Sequence, residues 1–151
     1  MRARDVMTKG VVAIQAGSSA EEAWRLMQAK GIHHLLVGST ARPQGVLSAY
    51  NLGGRAGSAV RRTASVSDLM EADVPMVGED DTVRRIANVM RGRPMGCLLV
   101  SNGRRTIGII TVSDLLELLG RGAERPSPRG ERSDLHHRVP HRKGHRASGV
   151  W

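Results

Sequence analysis

An α/β fold made of two copies of one strand–helix–strand–strand–helix unit is what this 151-residue chain predicts. Three observations carry it. First, Gly108-Ile109-Ile110-Thr111-Val112-Ser113-Asp114-Leu115 repeats, 63 positions later, the pattern of Gly45-Val46-Leu47-Ser48-Ala49-Tyr50-Asn51-Leu52. In both, a glycine releases an apolar β-run, and a hydroxyl followed three residues on by an acidic or amide side chain opens a helix. Second, the same offset holds without a gap for Asp5/Asp68, Met7/Met70, Val11/Val74, Met27/Met90 and Leu35-Leu36-Val37/Leu98-Leu99-Val100. Third, Leu35–Val37 and Cys97–Val100 are apolar at every position, so neither face of those strands is meant for water. A unit of about 60 residues is marginal alone, and two of them are expected to share one pseudo-symmetric core.

The elements follow in order. Asp5-Val6-Met7-Thr8 reads as a lead-in anchored by Val6 and Met7, and Val11–Ile14 as a short strand. Ser19 and Glu22 stand at capping-box spacing, and Ala20, Ala23, Trp24 and Met27 follow a helical period that Gly31 stops. Leu35–Val37 and Gly45–Ser48 are the paired strands, and Gly53 to Ser58 reads as a flexible connection. In the second copy Ser67–Met70 leads in and Val74–Val77 is the short strand. Thr82 caps a helix to about Arg91. Cys97–Val100 and Thr106–Thr111 pair across the Asn102-Gly103 turn, and Val112–Leu119 forms the last helix. A right-handed parallel crossover and an antiparallel hairpin in each copy predict two small sheets facing each other. The boundaries expected are 1–57 for the first repeat, 58–120 for the second and 121–151 for a tail.

Composition narrows the class. Phe is absent, with one Tyr and two Trp, so the core must be aliphatic. No run is long enough for a membrane span and the amino-terminal residues lack a signal-peptide pattern; with a single cysteine, Cys97, a cytoplasmic protein is expected. Of the net charge of +9, five units fall after Gly120, where Pro126, Pro128 and Pro140 interrupt a stretch without apolar period. That stretch reads as a basic, disordered tail.

The doubled pattern resembles the tandem CBS domain, two of which form a Bateman module. The likeness rests on Asp-Val-Met-Thr at 5–8, the helix around Ala23–Met27, Gly31-Ile32-His33-His34-Leu35-Leu36-Val37 and Gly108–Leu115, and covers about residues 3–119. It implies a regulatory, non-catalytic module, commonly dimeric, that binds an adenosine-containing ligand (AMP, ATP or S-adenosylmethionine) in clefts between the repeats. The Asp matched by Asp114 then takes the ribose, and the Thr matched by Thr111 lies near the phosphate.

The chemistry of the residues agrees. Two neighbouring ribose hydroxyls can both donate to one carboxylate, and a hydroxyl where strand becomes helix can meet a phosphate at the positive helix end. Thr111-x-x-Asp114 is equally the spacing of a capping box, and the two roles are compatible before a ligand arrives. The first cleft is expected to comprise Asp114, Thr111, Ser113, Ile109, Val11, Val12, Ile32 and His33. The second, built on Asn51 and Ser48 with Val77 and Met95, is expected to bind more weakly, since Asn51 lacks the charge. Met76 is a further candidate wall for the adenine ring. No metal site, nucleophile–base pair or phosphate-binding loop is present in the body of the chain, so an enzyme is not expected. A homodimer is expected from the leucines at 115, 116, 118 and 119. The competing reading, a nucleic-acid-associated protein using its Arg-rich tail on phosphate backbones, lacks interleaved aromatics and a recognisable fold.

Overall fold

The computed structural model describes residues 1–94 and 96–121. The tail from residue 122 on and Met95 therefore lie outside the described residues. Met1–Glu117 form one packed unit, and Leu118–Trp151 a second, of which residues 118–121 are described.

The chain runs α1 (Ala3–Val6), β1 (Thr8–Lys9), β2 (Ala13–Ile14), α2 (Ala20–Lys30), β3 (His34–Gly38) and β4 (Pro43–Ser48). A 3-10 turn at Gly54–Ala56 leads to α3 (Ser58–Thr63), α4 (Val66–Leu69) and β5 (Met76–Gly78). Then come α5 (Val83–Arg91), β6 (Cys97–Ser101), β7 (Thr106–Thr111) and α6 (Val112–Gly120). One sheet has the order β2-β3-β4 and the other β1-β7-β6-β5. In each, the short strand pairs parallel to the next and the hairpin is antiparallel, as the repeat predicts.

Helix limits follow local chemistry. The Ser19 hydroxyl accepts from the Glu22 amide and the Thr82 hydroxyl from the Arg85 amide, each satisfying a donor that the first turn leaves open. Gly31 ends α2 at φ +64°, a conformation that glycine adopts without the Cβ penalty.

The uniformly apolar strands bury both faces. Leu35 and Val37 of β3 enter one core cluster with Ala20, Ala23 and Met27 of α2, while Leu36 between them enters a central cluster. In β6, Leu98 and Val100 face Ile86 and Met90 of α5, while Cys97 and Leu99 join Leu36, Val46 and Ile109 in the same central cluster. That cluster draws on both sheets and holds them face to face. Each fully buried leucine or isoleucine contributes about 1.5–3 kcal/mol relative to exposure, so the central layer alone binds the halves firmly.

Three details differ from the expectation. The strands expected at 11–14 and 74–77 are shorter or displaced, because Val11 and Val74 turn inward between the sheets instead of pairing. The glycine-rich connection is ordered. Buried Arg61 donates from Nη1 to the Leu52 carbonyl at 3.1 Å and the Gly54 carbonyl at 2.5 Å, and its guanidinium lies 4.0 Å from the Trp24 ring centroid. These contacts dock α3 on α2. Gly53 and Gly54, at φ +81° and +59°, stand where the second repeat has Leu116 and Glu117, so no counterpart of α6 forms in the first repeat.

The third difference is an exchange between halves. β1 pairs with β7 of the second repeat, and Ala3, fully buried, joins the second repeat's core. Conversely Val66 packs in the first repeat's core, and Glu71 exchanges backbone hydrogen bonds with Val46 of β4 at 2.9 and 3.0 Å. The lead-in of each repeat thus completes the other half.

Candidate functional site

Between the sheets, at the carboxyl end of β7, lies a cavity of about 730 Å³. β7 delivers Ile109 and Thr111, and α6 opens with Val112, Ser113 and Asp114 on its rim. The segment before β2 brings Val11 and Val12, and the turn after α2 brings Ile32, His33 and His34. All eight residues assigned from the sequence to the first cleft line this one cavity. Sequence reasoning missed Thr8, Lys9 and Gly10, which reach it only because β1 crosses to β7. Gly96 and His34 complete the wall.

Half-buried Asp114 is held in a definite geometry. Its Oδ2 accepts from the Thr111 amide at 2.8 Å, and its own amide donates to Thr111 Oγ1 at 3.2 Å. This is the reciprocal pair of a capping box, set at the amino end of a nine-residue helix. The cap fixes where the carboxylate stands, and its charge faces a volume suited to a small organic ligand.

A second cavity of about 440 Å³ lies beside the first, and His33, His34 and Gly96 line both. Ser48 and Asn51 line it, joined by Tyr50, Glu71 and Cys97. Asn51 Oδ1 accepts from the Ser48 amide at 2.8 Å and from its hydroxyl at 2.9 Å, and Asn51 Nδ2 donates to Glu71 Oε1 at 3.3 Å. Val77 does not line this cavity. It pairs with Val100 in the sheet, is 4% exposed and belongs to the second core cluster. Its offset partner is Ile14, and the true counterpart of Val11 is Val74, three residues earlier. Met76 is exposed and lines neither cavity. Met95 lies outside the described residues.

Two groups near the shared wall have shifted ionisation. Burial pushes the Cys97 thiol up to about 11, with the Glu71 charge adding to it, so the thiolate a nucleophile needs is absent at neutral pH. Burial, reinforced by His33, lowers His34 below the ordinary histidine value of about 6.5, while Asp114 pulls it the other way. Neutral His34 is the form the fold favours. Its contribution is therefore present above the ordinary value and lost as pH falls through it toward the folded-state value. Unfolding temperature is expected to fall between about pH 7.5 and about pH 5.5 in the native protein, and to fall less in His34→Gln. An identical pH response in the variant would remove His34 from the account.

The CBS domain family model matches residues 3–52 and 66–121, more than half of the chain. The chain belongs to the CBS domain family. Two solved CBS proteins share its fold. The CBS domain pair of protein MJ0100, solved with 5′-methylthioadenosine and S-adenosyl-L-methionine, superposes with a TM-score of 0.67 at 20% identity, covering 80% of this chain and 96% of that one. The CBS-domain containing protein ATU1752 from Agrobacterium tumefaciens gives 0.64 at 22% identity, covering 78% and 98%. A homoserine O-acetyltransferase of Methanohalobium evestigatum is 26% identical over 117 residues, which make up 76% of this chain. The chain spans only 23% of that relative's length. Both matched segments of the family model fall on the repeats found by the 63-residue offset, so this protein is a tandem CBS pair of mixed α/β architecture. Among the described residues no helix is long and apolar enough to cross a membrane.

Proposed function

We propose that this CBS pair is a non-catalytic, cytoplasmic regulatory module that binds an adenosine-containing ligand in the 730 Å³ cavity and passes its occupancy to a separate partner. The observation that carries the reading is the position of Asp114: a carboxylate fixed by its own helix cap at the edge of a cavity with apolar walls at Val11, Val12, Ile32 and Ile109. Its charge would accept from both ribose hydroxyls. Thr111, Ser113 and the amino end of α6, with Lys9 on the crossing arm, would face a phosphate or another polar extension of the ligand. The MJ0100 pair, solved with two adenosyl compounds, supports that ligand class. An enzymatic reading has no support in the inert Cys97 or in the lining of either cavity.

The test is a thermal-shift panel of AMP, ADP, ATP and S-adenosylmethionine on the full chain. A ligand at 100 times its dissociation constant adds about 2.7 kcal/mol to the native state, a rise of several degrees. No shift from any of the four would overturn the reading.

The same proposal includes a homodimer. α6 buries none of its residues, and Val112, Leu116 and Leu119 are 43%, 62% and 50% exposed. An apolar helix face of this kind is normally covered by a partner. Sedimentation at micromolar concentration is expected to give twice the 16.3 kDa chain mass. A sharp drop toward the monomer is expected for Leu116→Glu, and a monomeric native protein would exclude the dimer.

A further inference from the structure

The two cavities are related by the 63-residue offset, yet their charges are arranged oppositely. In the first, Lys9 and the amino end of α6 supply positive potential beside Asp114. In the second, the counterpart of Asp114 is the neutral Asn51, and the counterpart of Thr8 is Glu71. The carboxylate has moved from the strand end to the arm facing it, where Asn51 Nδ2 donates to it at 3.3 Å. The described lining of the second cavity contains no Lys or Arg. After Ser48 the chain makes one capped turn, with the Leu52 amide on the Ser48 carbonyl at 3.3 Å, and leaves it at Gly53, so the helical end facing this cavity is a single turn where the first cavity has nine-residue α6 and a stronger dipole. Each of these features disfavours a phosphate, and Glu71 repels one directly. What remains suits hydroxyl and amine donors. Tyr50 lines the same cavity with 90% of its surface exposed, which leaves its aromatic face open to a ligand.

We infer that the second cavity is a site for a phosphate-free nucleoside, whose neighbouring ribose hydroxyls donate to Glu71 and Asn51 and whose base stacks on Tyr50. The inference deepens the proposed function and rests on it for the nucleoside chemistry. It turns the cleft from a weakened copy of the first into one of different specificity. The second cavity discriminates against a phosphate, while the first accepts an adenosyl ligand with or without one.

Titration calorimetry with adenosine and with AMP, on the full chain and on Asp114→Asn, Glu71→Gln and Glu71→Lys, tests it. Glu71 is exposed and its pairing with Val46 runs through the backbone, so the substitutions leave the fold in place; unfolding temperature checks this. Adenosine affinity is expected to fall about tenfold in Glu71→Gln, by loss of a charged acceptor, and to persist in Asp114→Asn. AMP is expected to lose affinity in Asp114→Asn and to gain a second binding event in Glu71→Lys. Adenosine binding that ignores both Glu71 substitutions, or AMP that fills two sites in the native protein, overturns the inference while leaving the first-cavity reading intact. AMP binding that ignores Asp114→Asn, with adenosine still dependent on Glu71, overturns the first-cavity reading alone. Absence of adenosine binding overturns the inference, and the four-ligand thermal-shift panel then decides the first-cavity reading.

Discussion

Replacing Gly45 by alanine is expected to lower the unfolding temperature by on the order of 10 °C. A Cβ at position 45 would collide with the Glu71 carbonyl oxygen, would stand 3.2 Å from the Glu71 carbonyl carbon and would also press on Met70 Sδ at 3.2 Å. Two of these obstacles are backbone, which cannot rotate away. Relief requires the arm to lift, and lifting it breaks both hydrogen bonds between Val46 and Glu71. Overpacking of this kind costs about 1–3 kcal/mol and each lost bond about 1 kcal/mol more, against a total stability of about 5–15 kcal/mol. The offset position supplies the control. At Gly108 the obstacles are the Sδ, Cγ and Cβ atoms of Met7, a side chain that can in part turn aside. Gly108→Ala is expected to be the milder of the two, and Met7→Ala to rescue it. Thermal melts of the three variants decide the matter: a Gly45→Ala protein as stable as the native one would mean that the arm does not lie on β4.

Removing the carboxylate of Asp114 is expected to weaken binding of the best adenosyl phosphate by at least about tenfold. A hydrogen bond to a charged acceptor contributes about 1.5–3 kcal/mol and a neutral one about 0.5–1.5, and about 1.4 kcal/mol is a factor of ten. Asp114→Ala also removes the bond to the Thr111 amide, a capping loss of about 1 kcal/mol. Stability must therefore be measured beside affinity, and Asp114→Asn, which keeps an acceptor oxygen for the cap, separates the two effects. Asn51→Ala is expected to leave the phosphorylated ligand's affinity unchanged. Calorimetry giving the reverse order, with Asn51 essential and Asp114 dispensable, would exchange the roles of the two cavities.

The architecture was legible because local chemistry and the repeat agree. The glycines at 45 and 108, the caps at Ser19 and Thr82 and the stop at Gly31 are each written in a few adjacent residues, and the structure uses them so. The walls of the first cavity were legible for the same reason: Thr111, Ser113 and Asp114 follow directly from a strand end meeting a helix start. What stayed hidden depends on distant partners. Thr8 and Lys9 look like an ordinary lead-in until β1 crosses to β7, and Glu71 looks like an ordinary surface acid until its segment lies on β4. Arg61 reads as one of two adjacent arginines in a polar stretch. Its burial follows from a tertiary match to the Trp24 ring and two open carbonyls. Val77 lies outside the second cavity because the offset pairs Val11 with Val74, and the alternation of β5 turns Val77 into the core.

The reciprocal lead-ins have a topological consequence. A single backbone cut in the Gly53–Gly57 turn would leave residues 1–53 carrying the β1 arm that completes the second sheet. The remaining fragment would carry the α4 segment that completes the first core. Each piece would keep a hook seated in the other, so a nicked chain should stay clasped and melt as one body, and separately made pieces should find each other on mixing. A ligand seated in either cavity would then touch a segment that belongs by sequence to one repeat and by packing to the other, because Thr8, Lys9 and Glu71 stand on the hooks themselves.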